Sequence, residues 1–299
     1  MSEITKIAWC DSSWNPWSGC AKISAGCAHC YAANLPPAMR RHAVWGPTGT
    51  RVRASESYLR QPLAWNAKAE RNRLRHRVFC ASVADVFEDR ADLDPWREDL
   101  WEMIGATPFL DWQLLTKRPH VAARWAESRP WPVNAWIGTS VEDQAAADER
   151  IPHLLRVPAR VRFLSCEPLI GAVDLTNIAG AGCGAEGCAD QRINALDGTD
   201  QCEHGYWAGG GHPCVQWVIT GGESGRNARP MRPDWALDII RQCQAANVPV
   251  FHKQMGTAWA NKFAVEMISM AGDPKGGNPS EWPEAFWVRE FPALEVTNE

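Results

Sequence analysis

Short apolar runs alternate with longer stretches of helical periodicity through most of this 299-residue chain, and that alternation limits its fold more than any other feature. The strand-like runs are Ile4–Trp9, Val78–Val83, Trp112–Leu115, Ala135–Gly138, Val161–Leu164, Val215–Thr220 and Pro249–His252. Helical spacing fits Pro95–Ile104, His120–Ser128, Val141–Leu155 and Pro233–Ala246. Pro95 and Pro233 suit a first helical position, and Asp94 is a favourable N-cap where Arg232 is not. Repeated β-then-α order predicts an α/β fold: a parallel sheet with crossover helices, closed into a full or partial (βα) barrel. A barrel of roughly 250 residues would take most of the length. The 45% hydrophobic content supports one large core. The expected division is a barrel over residues 1–262, an insertion at 177–214 and a C-terminal extension, 263–299, packing on the barrel.

The last six of these seven strand candidates each end in polar residues. They are Ser82-Val-Ala-Asp85, Thr116-Lys117-Arg118, Thr139-Ser140-Val-Glu142, Ser165-Cys166-Glu167, Gly221-Gly222-Glu223-Ser224 and His252-Lys253-Gln254. In a parallel barrel such ends gather at one mouth, where active sites are built. Lys117, Arg118 and Lys253 can meet a carboxylate or phosphate there, and Glu142 and Glu167 can answer a cation. Each can equally pair with its neighbours in structural ion pairs. Two segments break the pattern. Residues 31–76 form a long connection containing Pro36-Pro37 and Trp45-Gly-Pro-Thr-Gly-Thr50, and 177–214 is rich in glycine, cysteine and histidine. The basic stretch 68–77 reads as a solvated helix face or a phosphate-contacting patch.

Of eleven cysteines, three fall within eleven residues in Gly19-Cys20-Ala-Lys-Ile-Ser-Ala-Gly-Cys27-Ala-His-Cys30. That spacing is typical of iron–sulfur or zinc ligation, and three thiolates can leave one iron of a four-iron cluster open to a ligand. Cys10 is a possible fourth ligand but reads better as a small buried thiol. A second set, Cys183-x4-Cys188, Cys202-x-His204 and His212-x-Cys214, offers six ligands from which a structural zinc site can take four. Metal would supply folding energy to a stretch with so little core. A net charge of -4 gives no global signal for nonspecific nucleic-acid binding. No apolar run reaches the ~18 residues of a membrane span and no signal-peptide core is present, so a cytoplasmic protein is expected. Cysteines in a reducing compartment favour metal over disulfides. Most of the seventeen tryptophans are expected in cores or interfaces, and a few can stack on a planar substrate.

The stretch Trp14-Asn15-Pro16-Trp17-Ser18-Gly19-Cys20 through Cys27-Ala-His-Cys30-Tyr31-Ala32 resembles a phage- and bacteria-associated family of uncharacterised three-cysteine proteins related to radical SAM enzymes. Leu115-Thr-Lys-Arg-Pro119, Gly138-Thr-Ser-Val-Glu142, Ser165-Cys-Glu-Pro168 and Gly221-Gly-Glu-Ser-Gly225 share the likeness, which covers roughly residues 4–256 apart from the insertion. The resemblance implies a radical SAM-type barrel in which Cys20, Cys27 and Cys30 hold a [4Fe–4S] cluster. Its open iron would chelate S-adenosylmethionine. One electron would then break the S–C5′ bond, giving methionine and a 5′-deoxyadenosyl radical that abstracts a substrate hydrogen. A reductant protein such as a flavodoxin or ferredoxin is implied, and the substrate reads as a nucleobase, nucleotide or nucleic acid, with a protein or peptide as the alternative.

This chain has six residues in the first cysteine gap, where the usual pattern is Cys-x3-Cys-x2-Cys; Gly19 and Gly26 would ease the longer loop. Asp85, after the second strand, is nearest the expected place of a SAM contact, with Ser140 and Glu142 as further cofactor-side candidates. Gly221-Gly-Glu223 follows the sixth strand rather than the second, so the SAM-binding role of such a motif is not transferred to it. Glu223, Lys117 and Glu167 stand as catalytic candidates, while Cys166 reads as a plain strand-end residue. The rival class is a nonenzymatic, metal-stabilised nucleic-acid-binding protein, which the negative charge and the polar strand ends disfavour.

Overall fold

A computed structural model describes residues 5–180, 191–202, 205–207, 213–266 and 272–293. The chain divides into two compact units, 1–140 with 156–162 and 141–155 with 163–299. Parallel strands joined through helices form both, so the α/β class and the parallel order expected from the sequence are present.

In the first unit, β1 (Ser12–Trp14), β2 (His76–Cys80), β3 (Leu110–Thr116) and β4 (Ala135–Ser140) lie in that order, all parallel. Almost every residue of β3 and β4 is buried, as expected for a parallel sheet covered on both faces. The covering helices of this unit are α1 (Gln61–Asn72), α2 (Asp94–Gly105) and α3 (Pro119–Glu127).

The first strand is not Ile4–Trp9. That run turns back on itself through hydrogen bonds from Thr5 to Asp11 and from Cys10 to Ile7. Pairing begins at Asp11, whose carboxylate takes the Arg77 backbone N–H at 2.8 Å and its guanidinium at 3.0 Å. The true strand carries buried polar groups, with Ser12 Oγ 2.9 Å from His76 Nε2. Asp94 does not cap α2. It is the helix's first residue, and its carboxylate pairs with the buried Arg97 one turn on. Helix α1 lies inside the stretch read as a long connection, and Arg75 and Arg77 just beyond it are taken up by Asp111 and Asp11.

In the second unit, β5 (Arg162–Cys166), β6 (Trp217–Gly221) and β7 (Val250–Gln254) run parallel in that order. Helices α4 (Gln144–Leu155), α5 (Pro233–Ala245) and α6 (Thr257–Glu266) belong to it. Helix α4 starts later than Val141 because the Val141 N–H donates to Ser165 in β5, while the Asp143 carboxylate takes the N–H of Ala146. Between β5 and β6 the chain forms a small antiparallel sheet of Ile178–Ala179, Arg192–Ile193, Asp200–Cys202 and Gly205–Trp207. Residues 282–291 lie against β7, with an antiparallel bridge from Arg289 to Phe251 and with Trp282 and Phe286 buried. Among the described residues no helix is long and apolar enough to cross a membrane.

His252 of β7 is fully buried beside Trp282 and Phe286, its Nδ1 2.8 Å from Thr220 Oγ1. Burial, aided by the charge of Arg289, holds its pKa down to about 3. The folded protein therefore keeps this ring neutral where the unfolded chain, titrating near 6.5, takes a proton. Stability from this group is complete above pH 6.5 and is lost as pH falls towards 3. At pH 5 the loss is about 2 kcal/mol. Urea unfolding at pH 7 and pH 5 should show that loss in the wild type and not in a His252→Gln variant; equal losses in both would refute it.

Candidate functional site: the three-cysteine loop

The route into the loop is fixed by backbone pairing. After β1, Trp17–Ser18 pairs antiparallel with Val52–Arg53, and Gly19 then bridges to Ala84 just beyond β2. Gly19 has φ +110°, and a Cβ there would lie 2.6 Å from the Thr50 carbonyl oxygen, so only glycine makes this turn. The Gly46 N–H donates to the Cys20 carbonyl. A 3-10 turn, Ala25–Cys27, places Cys27, and Cys30 follows one turn later with its N–H on the Cys27 carbonyl at 3.3 Å.

Ala21, next to Cys20, is clamped from both sides by buried charge. Its N–H donates to Glu88 Oε1 at 3.0 Å, and its carbonyl accepts from Arg118 Nη2 at 3.0 Å. Glu88 is held by Arg51 through two bonds of 2.6 and 2.5 Å. Arg118 is held by Asp85 at 2.8 Å, and Asp85 also accepts from Thr116 Oγ1, the Phe87 N–H and the Lys117 N–H. Asp85, Glu88 and Arg118 are all buried. Charges this deep persist only when paired and hydrogen-bonded, and here they are.

The thiols of the loop are tuned differently. Burial, with the nearby carboxylates of Asp85 and Glu88, pushes Cys20 up to about 12 against the opposing pull of Arg118. Burial also raises Cys27, but the Ile23 backbone, the charge of Lys117 and the Ser24 contacts outweigh it and leave that thiol below its ordinary value. None of the three cysteines is in a disulfide. Among the described residues no three Cys, His, Asp or Glu side chains converge as a metal-ligand group. What the loop offers a metal is its donor chemistry: three unbridged thiols, those of Cys27 and Cys30 one turn apart, with Lys117 and Arg118 near enough to Cys27 and Cys20 to affect their ionisation. That donor set fits a thiolate-held cluster.

Asp85 is near enough to Cys20, and Lys117 to Cys27, to affect their ionisation, and Ser140 is buried at the end of β4. In the second unit the predicted acids each hold a cation. Glu142 pairs with Arg150 at 2.7 Å with both side chains buried, Glu167 with Lys253 at 2.6 Å, and Glu223 takes Arg229 through its backbone N–H, Nε and Nη2. Cys166 is fully buried, and desolvation drives its thiol well above the ordinary range. In the insertion, Cys183, Cys188, His204, His212 and the side chain of Cys202 lie outside the described residues. Cys214 is half-buried and accepts from the Gln216 amide.

Sequence reasoning missed Glu88 and Arg51. Arg51 sits in the glycine- and threonine-rich loop, and Glu88 closes Asp85-Val-Phe-Glu88, where a second acid beside buried Val86 and Phe87 was the available signal. No curated protein and no solved structure matches the chain. A profile of the family described as "Protein of unknown function (DUF5131)" matches residues 4–282, nearly the whole length, and the chain belongs to that family.

Proposed function

We propose that this protein is a radical SAM-type enzyme on a partial (βα) barrel, with Cys20, Cys27 and Cys30 holding a [4Fe–4S] cluster. The observation that carries the reading is a loop of three unbridged thiols pinned by two buried ion pairs where the first parallel strands end. Bound together with S-adenosylmethionine, the cluster supplies one-electron reductive cleavage of the S–C5′ bond.

The chain's own residues do the rest. Lys117 places positive charge beside Cys27, whose thiol lies below its ordinary value as ligation needs, while Arg118 offsets only part of the burial and carboxylate charge that raise Cys20. Both oxygens of Asp85 are occupied by donors, so Asp85 acts as a positioning residue that orients Arg118. Glu88 and Arg51 hold Ala21, and Gly19 sets the turn that delivers Cys20. Glu223 and Glu167, strand-end acids each steadied by a cation, are kept as catalytic candidates, with a nucleobase, nucleotide or nucleic acid as the substrate class. A zinc ion in the 177–214 insertion belongs to the same reading and is supported there by ligand spacing.

The test is direct. Protein purified without oxygen, reconstituted with iron and sulfide, and given S-adenosylmethionine with a strong reductant should form 5′-deoxyadenosine. No product from a four-iron cluster that is demonstrably built and reduced would overturn the reading.

A further inference from the structure

A cavity of about 360 Å³ lies within the first unit and shares no residue with the cysteine site. It is lined by Trp14 at the end of β1, by Trp17 three residues on, by Leu63 in the first turn of α1, and by Trp96, Leu100 and Met103. The last three repeat at helical spacing, so they form one face of α2. The tryptophans are braced by the protein itself. Trp14 stacks on Tyr58 with centroids 6.5 Å apart, meets Trp112 edge-on at 5.3 Å, and donates its Nε1–H to the Tyr58 carbonyl at 3.3 Å. Trp17 packs against Trp96 at 5.8 Å. Unlike that of Trp14, its indole N–H is buried with no hydrogen-bond partner among the described residues. Buried donors are nearly always satisfied, and one left over in the lining of a cavity points to an acceptor from outside the chain. The charged side chains of the lining are Glu56, Asp99 and Glu102 against Arg53 and Arg60, all exposed except the half-buried Arg53. Arg53 is engaged by Asp99 at 2.6 Å and by Glu56 at 3.9 Å. Three carboxylates to two guanidiniums leave one acid in excess, so this edge opposes an anion and accepts one cation.

We propose that this cavity binds a small, flat heteroaromatic amine, its ring against the tryptophans and its ammonium group at the carboxylates. The volume lies in the range of small-molecule sites, and the lining is mostly apolar with a few polar groups, as such sites are. Tryptophan favours both an aromatic ring and a nearby cation. A ring nitrogen on the ligand takes the Trp17 N–H that the protein leaves unsatisfied. Walls already braced by Tyr58 and Trp112 keep the ordering cost of binding low. An aliphatic amine would fill part of the space but leave Trp17 without an acceptor, and a carboxylate or phosphate would meet the excess acid. The site stands on its own lining and is independent of the cluster reading.

The probe is an aminomethylquinoline, titrated into the full chain by isothermal calorimetry at low salt. It should bind about fivefold more tightly than aminomethylnaphthalene, which has the same shape and no ring acceptor. It should also bind about fivefold or more above the matching quinoline carboxylate, whose charge is reversed. Glu102→Arg, at an exposed position of the lining, should weaken the quinoline amine by about fivefold or more. Trp17→Phe should erase the advantage of quinoline over naphthalene, and Val133→Glu, exposed and outside the cavity, should change nothing. Circular dichroism checks that each variant is folded. A quinoline amine that does not bind at millimolar concentration, or that binds Glu102→Arg as well as the wild type, overturns the site. Naphthalene amine or hexylamine binding the wild type as tightly as the quinoline overturns the ligand class. The titration needs no iron, so its failure is distinct from a failure to build or reduce a cluster.

Discussion

Replacing Arg118 by alanine is expected to cost about 3–5 kcal/mol of stability, because it removes one partner of a buried ion pair and leaves the other in place. Arg118 and Asp85 are both buried at 2.8 Å, and Arg118 also satisfies the carbonyl of Ala21. Without it, Asp85 keeps the Thr116, Phe87 and Lys117 donors but loses its countercharge, and Ala21 loses its acceptor bond. Arg118→Lys should recover only part of the loss, since an ammonium lacks the fork that reaches Asp85 and Ala21 together. Arg118→Met combined with Asp85→Asn should cost less than the two single changes added, because the double variant buries no lone charge. Urea unfolding measures all five variants: Arg118→Ala, Arg118→Lys, Arg118→Met, Asp85→Asn and the double. An Arg118→Ala protein within about 1 kcal/mol of the wild type would show that this pair does not anchor the loop.

The same pair explains why the site was harder to read from the sequence than the fold. Six of the seven strand candidates overlap observed strands, because buried parallel strands are apolar runs with clear ends. The β2 run was placed two residues late because His76 and Arg77 look like loop residues. They enter the strand only because Ser12 and Asp11 satisfy them. The first strand was misplaced for a related reason: Ser12 and Asn15 are polar yet fully buried, Asn15 taking the Ser82 hydroxyl and the Val83 N–H. Helix α1 was missed: Pro62, Trp65 and Ala69, its buried positions, stand at helical spacing, but inside a stretch dominated by its charges. The strand-end residues Asp85, Lys117 and Arg118 were legible as a group. Their partners were not, since Asp85 and Arg118 are 33 residues apart and Arg51 and Glu88 are 37 apart, and composition does not encode such pairings.

Changing Cys20, Cys27 and Cys30 together to alanine is expected to abolish iron binding, the largest functional effect foreseen for this chain. In the proposed cluster the three thiolates are the protein's iron ligands, and His29 by itself could not hold it. Fold should survive better than metal binding. Cys20 and Cys30 are only partly buried, and the loop's position is set by Gly19 and by the Glu88 and Arg118 bonds to the Ala21 backbone, which the substitutions leave intact. Circular dichroism close to that of the wild type, with iron per chain near zero, is the expected pair of results. Cys10→Ala is the matched control. Its thiol is buried and donates to the Ile7 carbonyl at 3.8 Å, so its loss should leave a small cavity and an unchanged iron content. Iron that persists in the triple variant would remove the cluster from this loop altogether. Iron that disappears in Cys10→Ala would make the cluster four-ligated, leaving no open iron for S-adenosylmethionine and turning the reading from catalysis to electron transfer. Zinc retained by the triple variant while iron is lost would locate a second metal elsewhere, with the Cys and His residues of 177–214 as the ligands to substitute next.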